Sequence, residues 1–261
     1  MGGATVEITE AIKQTLHDIE QQEGVRILYA CESGSRAWGF ASQDSDYDVR
    51  FIYARPADAY LRLDAPRDVI ERPIVGELDV NGWDIFKALR LLRGSNPPLL
   101  EWLFSPIVYQ EDAAYIAELR TIARRYYSPA ALYYHYGNMA SRNYQQYLAG
   151  KPEVALKKYL YVLRPLIAIL FLQQQGQLPS TNFLDTLAHV ELAEEIRASI
   201  LDLVARKQSA TELGTSAPNP LLDAFINERL AQWGKQSFET PDKQEMTLEL
   251  EQVLARILAE G

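Results

Sequence analysis

One cysteine, Cys31, stands in a chain of 261 residues, so no intrachain disulfide framework and no cysteine-rich metal site can exist. Its strand-end position without a basic neighbour marks it as a small buried hydrophobe rather than a nucleophile. Histidine is nearly as scarce: His17, His135 and His189 are scattered without ligand spacing and read as structural or surface residues. The longest apolar run, 166–172, falls far short of the roughly 20 residues of a membrane span. The amino-terminal segment mixes Glu7, Glu10, Lys13, Asp18 and Glu20 with its hydrophobes, unlike a secretory signal. These absences lead to the expectation of a cytoplasmic globular protein with no membrane partner. Basic charge is also in deficit, 26 Lys and Arg against 35 Asp and Glu, which at first sight argues against nucleic acid.

What is present is distributed unevenly. Residues 1–119 carry a net −9 and residues 166–261 a net −7, whereas 120–165 hold eight basic side chains against Glu153 alone. Nine of the 15 tyrosines also fall in 120–165. Hydrophobic residues make up 48% of the chain, enough to fill a core at this length.

Helical spacing of Ile8, Ile12, Leu16 and Ile19 predicts a helix over 6–22. Strands are expected at 25–30, 47–53, 69–72 and 77–81, with a short helix at 56–61. Asp84 is placed to cap a helix carrying Ile85, Ala88, Leu89 and Leu92 on one face. Beyond about residue 110 only helical patterns are expected, over 111–127, 129–149, 153–175, 190–207, 219–233 and 242–259, with a break at 213–220. Pro165 within one of them predicts a kink or break. The resulting division is a core over 1–110 and a helical domain over 111–261, whose first part, 120–165, is basic and tyrosine-rich. The tyrosines at helical spacing are expected to pack between helices, although tyrosine is also a stacking platform for bases.

Chemistry concentrates in Glu32-Ser33-Gly34-Ser35-Arg36-Ala37-Trp38-Gly39-Phe40 and in Asp44-Ser45-Asp46-Tyr47-Asp48. A strand delivers the chain to Gly34, where a tight turn lets the Ser35 hydroxyl and N–H meet a phosphate oxygen. Asp46 and Asp48, two apart at the start of a strand, are expected to share a face and grip two divalent cations. A third carboxylate is needed from a neighbouring strand, and Asp79 is the best candidate; Asp84 is better explained as a cap and Asp44 as a turn residue. Arg36 reads equally as a phosphate contact or as a brace for the acidic loop. Trp38 is expected to pack against that loop. Lys157, Tyr161 and Arg164 share a helix face, with Lys158 displaced by about 100°. The expectation is that Lys158, Tyr161 and Arg164 bind the nucleotide and offset its phosphate charge.

The Gly-Ser and Asp-x-Asp pattern resembles the DNA polymerase β superfamily of nucleotidyltransferases. Gly34 to Phe40, Asp44 to Tyr53, Asn81-Gly82-Trp83-Asp84, Ser95-Asn96-Pro97 and Glu101-Trp102-Leu103 are similar to the RNA-repair-associated YcgL/RlaP-like family. So are Ser105 to Tyr109 and Lys157 to Pro165, and the likeness spans about residues 25–180. The resemblance implies an α+β fold: a small mixed sheet with flanking helices, then a helical C-terminal part. It further implies Mg2+-dependent transfer of a nucleoside monophosphate from an NTP such as ATP to an acceptor hydroxyl, with an RNA end as the contextual acceptor. In that reading Asp46, Asp48 and Asp79 hold two Mg2+ ions, or Mn2+ in their place, and Gly34, Ser35 and Arg36 cradle the nucleotide. The alternatives are nucleotidylation of a small molecule or protein, and a non-catalytic, antitoxin-like regulator on the same fold. The +7 middle segment removes the objection to RNA that the total charge raises.

Overall fold

The computed structural model describes residues 2–64, 66–209, 214–234, 236–239 and 241–260, and the side chains from residue 7 onward. It has two compact units, one built from Met1–Ala37, Asp46–Tyr127 and Pro241–Gly261, the other from Trp38–Ser45 and Ser128–Thr240. Among the described residues no helix is long and apolar enough to cross a membrane.

The first unit is a mixed sheet with helices. Helix α1 (Gly2–Glu23) buries Ile12, Leu16 and Ile19 in a core with Ile27, Ala30, Val49, Phe51, Tyr53 and Val80. These come from β1 (Arg26–Glu32), β2 (Tyr47–Ala54) and β4 (Leu78–Asp84), which follow one another with the four-residue helix α2 (Gly34–Ala37) and strand β3 (Val69–Glu71) between them. A 3-10 turn at Ala57–Leu61 occupies the place of the expected short helix. Asp84 caps α3 (Ile85–Arg93), its carboxylate accepting from Phe86 N–H at 2.9 Å and from the Tyr60 hydroxyl at 2.9 Å. Helix α4 (Pro97–Leu103) starts on Asn96, and strand β5 (Val108–Glu111) leads into α5 (Ala113–Tyr126). Both α4 and β5 lie outside the sequence expectations; each is too short for its periodicity to register. The sheet order is β3-β4-β2-β1-β5, with β2 and β4 parallel and the other pairs antiparallel. This is the mixed five-stranded sheet of an α+β protein.

The second unit is mostly helical: α6 (Pro129–Tyr147), α7 (Leu156–Gln175), α8 (Phe183–Ala188), α9 (Glu194–Ser209) and α10 (Pro220–Gln232). Two two-residue strands, β6 (Val154–Ala155) and β7 (Thr215–Ser216), pair within it, contrary to the expectation of helices alone. Their pairing spans some sixty residues of chain and leaves no local pattern. The predicted break at 213–220 is occupied in part by β7, and its first residue, Leu213, lies outside the described residues. Of the tyrosines expected to pack between helices, Tyr133 and Tyr136 are buried and Tyr134 is exposed; Tyr159 is buried as well. Tyr159 also accepts from Asn219 N–H and donates to Asp223, both at 2.9 Å.

Helix α7 continues through Pro165, where the sequence predicts a kink or break. Proline has no N–H, so the Tyr161 carbonyl four residues earlier loses its helical donor. The Asn143 side-chain amide of α6 donates to that carbonyl at 3.0 Å, which replaces the missing bond.

The last helix, α11 (Lys243–Ala259), belongs to the first unit and packs on α5 and α3. Arg125 pairs with Glu249 at 2.7 Å and Arg256 with Glu118. The units therefore divide at Tyr127 and Ser128, with one helix of the carboxyl-terminal stretch returning to the sheet unit, rather than at residue 110. Helical periodicity identifies a buried face without saying what covers it.

Candidate functional site

The parallel pairing of β2 with β4 sets Asp48 opposite Asp79 and Arg50 opposite Asn81. Side chains alternate along a strand, so these four residues share one face of the sheet. Arg50 Nη2 lies between the two carboxylates, 3.0 Å from Asp48 Oδ1 and 2.7 Å from Asp79 Oδ2. Its Nη1 donates to the Val49 and Asp79 carbonyls, each at 3.0 Å. Asp46 sits in the exposed turn just ahead of β2 rather than on the strand. Burial raises the proton affinity of the Asp48 carboxyl above its usual range; Arg50 opposes this, and the charges of Asp79 and Asp46 add to it.

The loop before α2 presses on this carboxylate. Gly34 has φ +60°, and a Cβ there would stand 2.0 Å from Asp48 Oδ2. Ser33 N–H donates to the Asp48 carbonyl at 2.8 Å. A side chain at position 34 is thus excluded by backbone conformation and by contact. Ser35, half-buried, follows in α2. Arg36 donates to the Asp46 carbonyl at 3.1 Å and stacks 3.6 Å over the Tyr47 ring.

Sequence reasoning missed three neighbours. Arg50 was legible, because it follows Asp48 by two on an alternating strand. Asn81 follows Asp79 by two, and its buried side-chain oxygen has no hydrogen-bond partner. Glu32 heads the motif stretch, but the sequence gives it no role, since its partners are remote in sequence. It is fully buried at the end of β1, accepts from Asp48 N–H at 2.8 Å and accepts a short hydrogen bond from the Tyr109 hydroxyl.

Burial pushes the Glu32 carboxyl up to about 7, against the opposing hydrogen bonds from Tyr109 and Asp48. A carboxyl raised in the folded state holds its proton there when the unfolded chain has already lost it. Stability is therefore expected to fall as pH rises from about 4.5 to about 7, by up to roughly 3 kcal/mol from this group. Glu32→Gln should flatten that slope and leave the variant more stable than the parent at pH 8. Urea unfolding at pH 5, 6, 7 and 8 in metal-free buffer measures it; parallel pH curves for the two proteins would refute the assignment.

Asp46, Asp48 and Asp79 carry hard oxygen donors of the kind a divalent cation such as Mg2+ takes, and Asn81 lies two residues along β4 from Asp79. Among the described residues no three His, Cys, Asp or Glu are gathered into a ready metal cage; Arg50 Nη2 occupies the space between Asp48 and Asp79 and balances their charge. The donors and the glycine cradle fit a divalent cation in chemistry, with the guanidinium holding its place.

The remaining expected nucleotide contacts, Lys158, Tyr161 and Arg164, belong to the second unit. Lys158 Nζ lies 3.9 Å over the Tyr147 ring and 4.8 Å over that of Tyr161. Arg164 stacks 3.9 Å over Trp38, which also contacts Phe40 at 5.7 Å between ring centroids. Asp44 is a turn residue whose carboxyl is held below its usual range, first by the Ser42 hydroxyl and more weakly by Lys207 and Lys157. Cys31 is wholly buried, and burial pushes its thiol far above the usual range.

Residues 8–256 match the family described as RlaP, RNA repair pathway DNA polymerase beta family. An uncharacterized protein, YcgL of Bacillus subtilis (strain 168), is 43% identical over 254 residues, 96% of each chain. A crystal structure of a nucleotidyltransferase-like protein from Exiguobacterium sibiricum 255-15 aligns with 96% of this chain and 80% of its own, at 12% identity and a TM-score of 0.32. With a family match over nearly its whole length and a relative this similar, the chain belongs to the RlaP family of the DNA polymerase β superfamily.

Proposed function

We propose that this protein transfers a nucleoside monophosphate from an NTP to an acceptor hydroxyl at an RNA end, with Mg2+ as the metal. The observation that carries the reading is the Asp48–Asp79 register pair with the Gly34 loop closed against it. The family description, with its mention of RNA repair, supports the choice of acceptor.

Asp48 and Asp79, with Asp46, would hold the metal. When bound, it neutralises phosphate charge and lowers the proton affinity of a hydroxyl. The chain's own residues then have definite tasks. The Gly34-Ser35 turn offers backbone N–H groups and the Ser35 hydroxyl to the terminal phosphates. Asp79 takes the proton of the attacking hydroxyl as its oxygen bonds to the α-phosphorus. The bond from that phosphorus to the bridging oxygen breaks, and pyrophosphate leaves with the electron pair. Arg50, released from the carboxylates, remains beside them as a cation for the developing charge.

Incubation with each of the four α-32P-NTPs, Mg2+ and a single-stranded RNA oligonucleotide tests the reading. Label on the RNA with matching pyrophosphate release is the expected result. Label on protein or on a small alcohol would move the acceptor to another class. Absence of pyrophosphate release with every NTP would favour a regulator on this fold.

A further inference from the structure

We propose that the groove between α3 and α11 binds the phosphates of a single-stranded RNA, giving the acceptor a docking surface of its own; this rests on the RNA-acceptor reading above. The groove encloses a cavity of about 660 Å3 lined by Arg90, Arg93, Lys243 and Leu248, among others. A second cavity of about 210 Å3 shares Arg90, Arg93 and Thr247 with it and adds Phe86. The shared walls make one open groove in which Arg90 and Arg93 line both parts, with Lys243 and Leu248 in the first and Phe86 in the second.

Charge singles this groove out. In the first unit most arginines carry a carboxylate partner: Arg26 with Glu260, Arg72 with Glu23, Arg120 with Glu111, Arg125 with Glu249 and Arg256 with Glu118. Arg90, Arg93 and Lys243 are exposed, and no ion pair joins any of them to a carboxylate among the described residues. Three cations outside any ion pair, against the single carboxylate Glu251, leave the lining of this groove net positive in a chain of net charge −9. Arg90 and Arg93 are three residues apart on α3 and so project from neighbouring positions of one helix face. Lys243 opens α11 opposite them. Among the described residues Glu251 is the one carboxylate in the lining; it shares the second cavity with Arg90 and Arg93 but is ion-paired to neither.

The apolar part decides between a phosphate ion and a polymer. Phe86 is half-buried, with the Arg90 guanidinium 6.0 Å over its ring, and Leu248 is 60% exposed. Cations that track a backbone beside an aromatic ring on which a base can stack are the pattern of single-strand binding. An inorganic anion would use the cations and leave Phe86 and Leu248 idle.

The probe is a 5′-fluorescein 12-nucleotide oligouridylate, read by fluorescence anisotropy with the full chain, without NTP or metal. Arg90→Glu combined with Arg93→Glu is expected to raise Kd at least tenfold. Arg90→Gln with Arg93→Gln should lower the slope of log Kd against log salt by about 1.4, at about 0.7 for each single-strand phosphate no longer neutralised. Thermal midpoints unchanged from the parent establish that these exposed substitutions leave the fold intact. Kd and slope unaffected by the substitutions, or no RNA binding by the parent, would overturn the proposal. Displacement of the RNA by tripolyphosphate at equal phosphate concentration would overturn it in favour of a free polyphosphate site. Since the binding assay uses no nucleotide, failure of the transfer reading and failure of this one are separable. RNA bound in the groove without transfer sinks only the former, and transfer to RNA that ignores the groove variants sinks only the latter.

Discussion

Asp48→Asn and Asp79→Asn are each expected to reduce nucleotidyl transfer by roughly 10^3-fold, since a bound metal supplies several kcal/mol of charge stabilisation and each 1.36 kcal/mol is tenfold in rate. Both substitutions keep the side chain's shape and remove one charged donor of the proposed cation site. The electrostatics of the site separate this loss from simple unfolding. Asp48 carries its charge against burial and against Asp79 and Asp46, with Arg50 and, more weakly, Arg36 in its favour. Removing that charge relieves repulsion, and Arg50 keeps its 2.7 Å contact with Asp79. Asp48→Asn is therefore expected to unfold in urea at or above the parent's midpoint while its transfer activity collapses. Transfer assays with α-32P-NTP, run beside the urea titration, make the comparison. Activity within threefold of the parent in a folded Asp48→Asn protein would remove the carboxylate pair from the mechanism.

The double carboxylate was legible because strand alternation and a Gly-Ser turn are local patterns. Asp48 and Asp79 are 31 positions apart, yet each begins a short strand with a β-branched or aromatic neighbour, and pairing those strands in parallel brings them level. The role of Asp84 as a cap was legible for the same reason, since a polar residue ahead of an amphipathic stretch is a local signal. Arg50 escaped notice although it obeys the same alternation, because reasoning toward a cation site looks for oxygen donors and passes over a resident cation. Glu32 could not be found this way. Its significance comes from complete burial and from Tyr109, which reaches it across the sheet from β5, a strand too short to show in the pattern. The return of α11 to the sheet unit was equally hidden. Its apolar positions specify a buried face, while Arg125–Glu249 and Arg256–Glu118 supply the address, and such pairings have no footprint in a single sequence.

Gly82→Ala is expected to cost roughly 3 kcal/mol, at the upper end of overpacking effects, and to lower the thermal midpoint by about 10 °C for a protein of this length. Gly82 lies on β4 directly opposite Phe51 of β2. An added Cβ would stand 2.1 Å from Phe51 Cε2 and 2.2 Å from Cζ, well inside van der Waals contact. The ring cannot swing away, because Phe51 is fully buried in the cluster that α1 covers with Ile12, Leu16 and Ile19. The strain must then be taken by the β2–β4 pairing itself, three residues along from Asp79. If the collision is the cause, Phe51→Leu makes room for the new methyl. The double variant Gly82→Ala with Phe51→Leu should then be more stable than the sum of the two single changes predicts, by at least about 1 kcal/mol. Additive losses would place the cost in backbone conformation instead. The same variants bear on function. Displacing β4 against β2 separates Asp79 from Asp48, so transfer by the folded fraction of Gly82→Ala should fall further than its stability requires, and Phe51→Leu should recover both together.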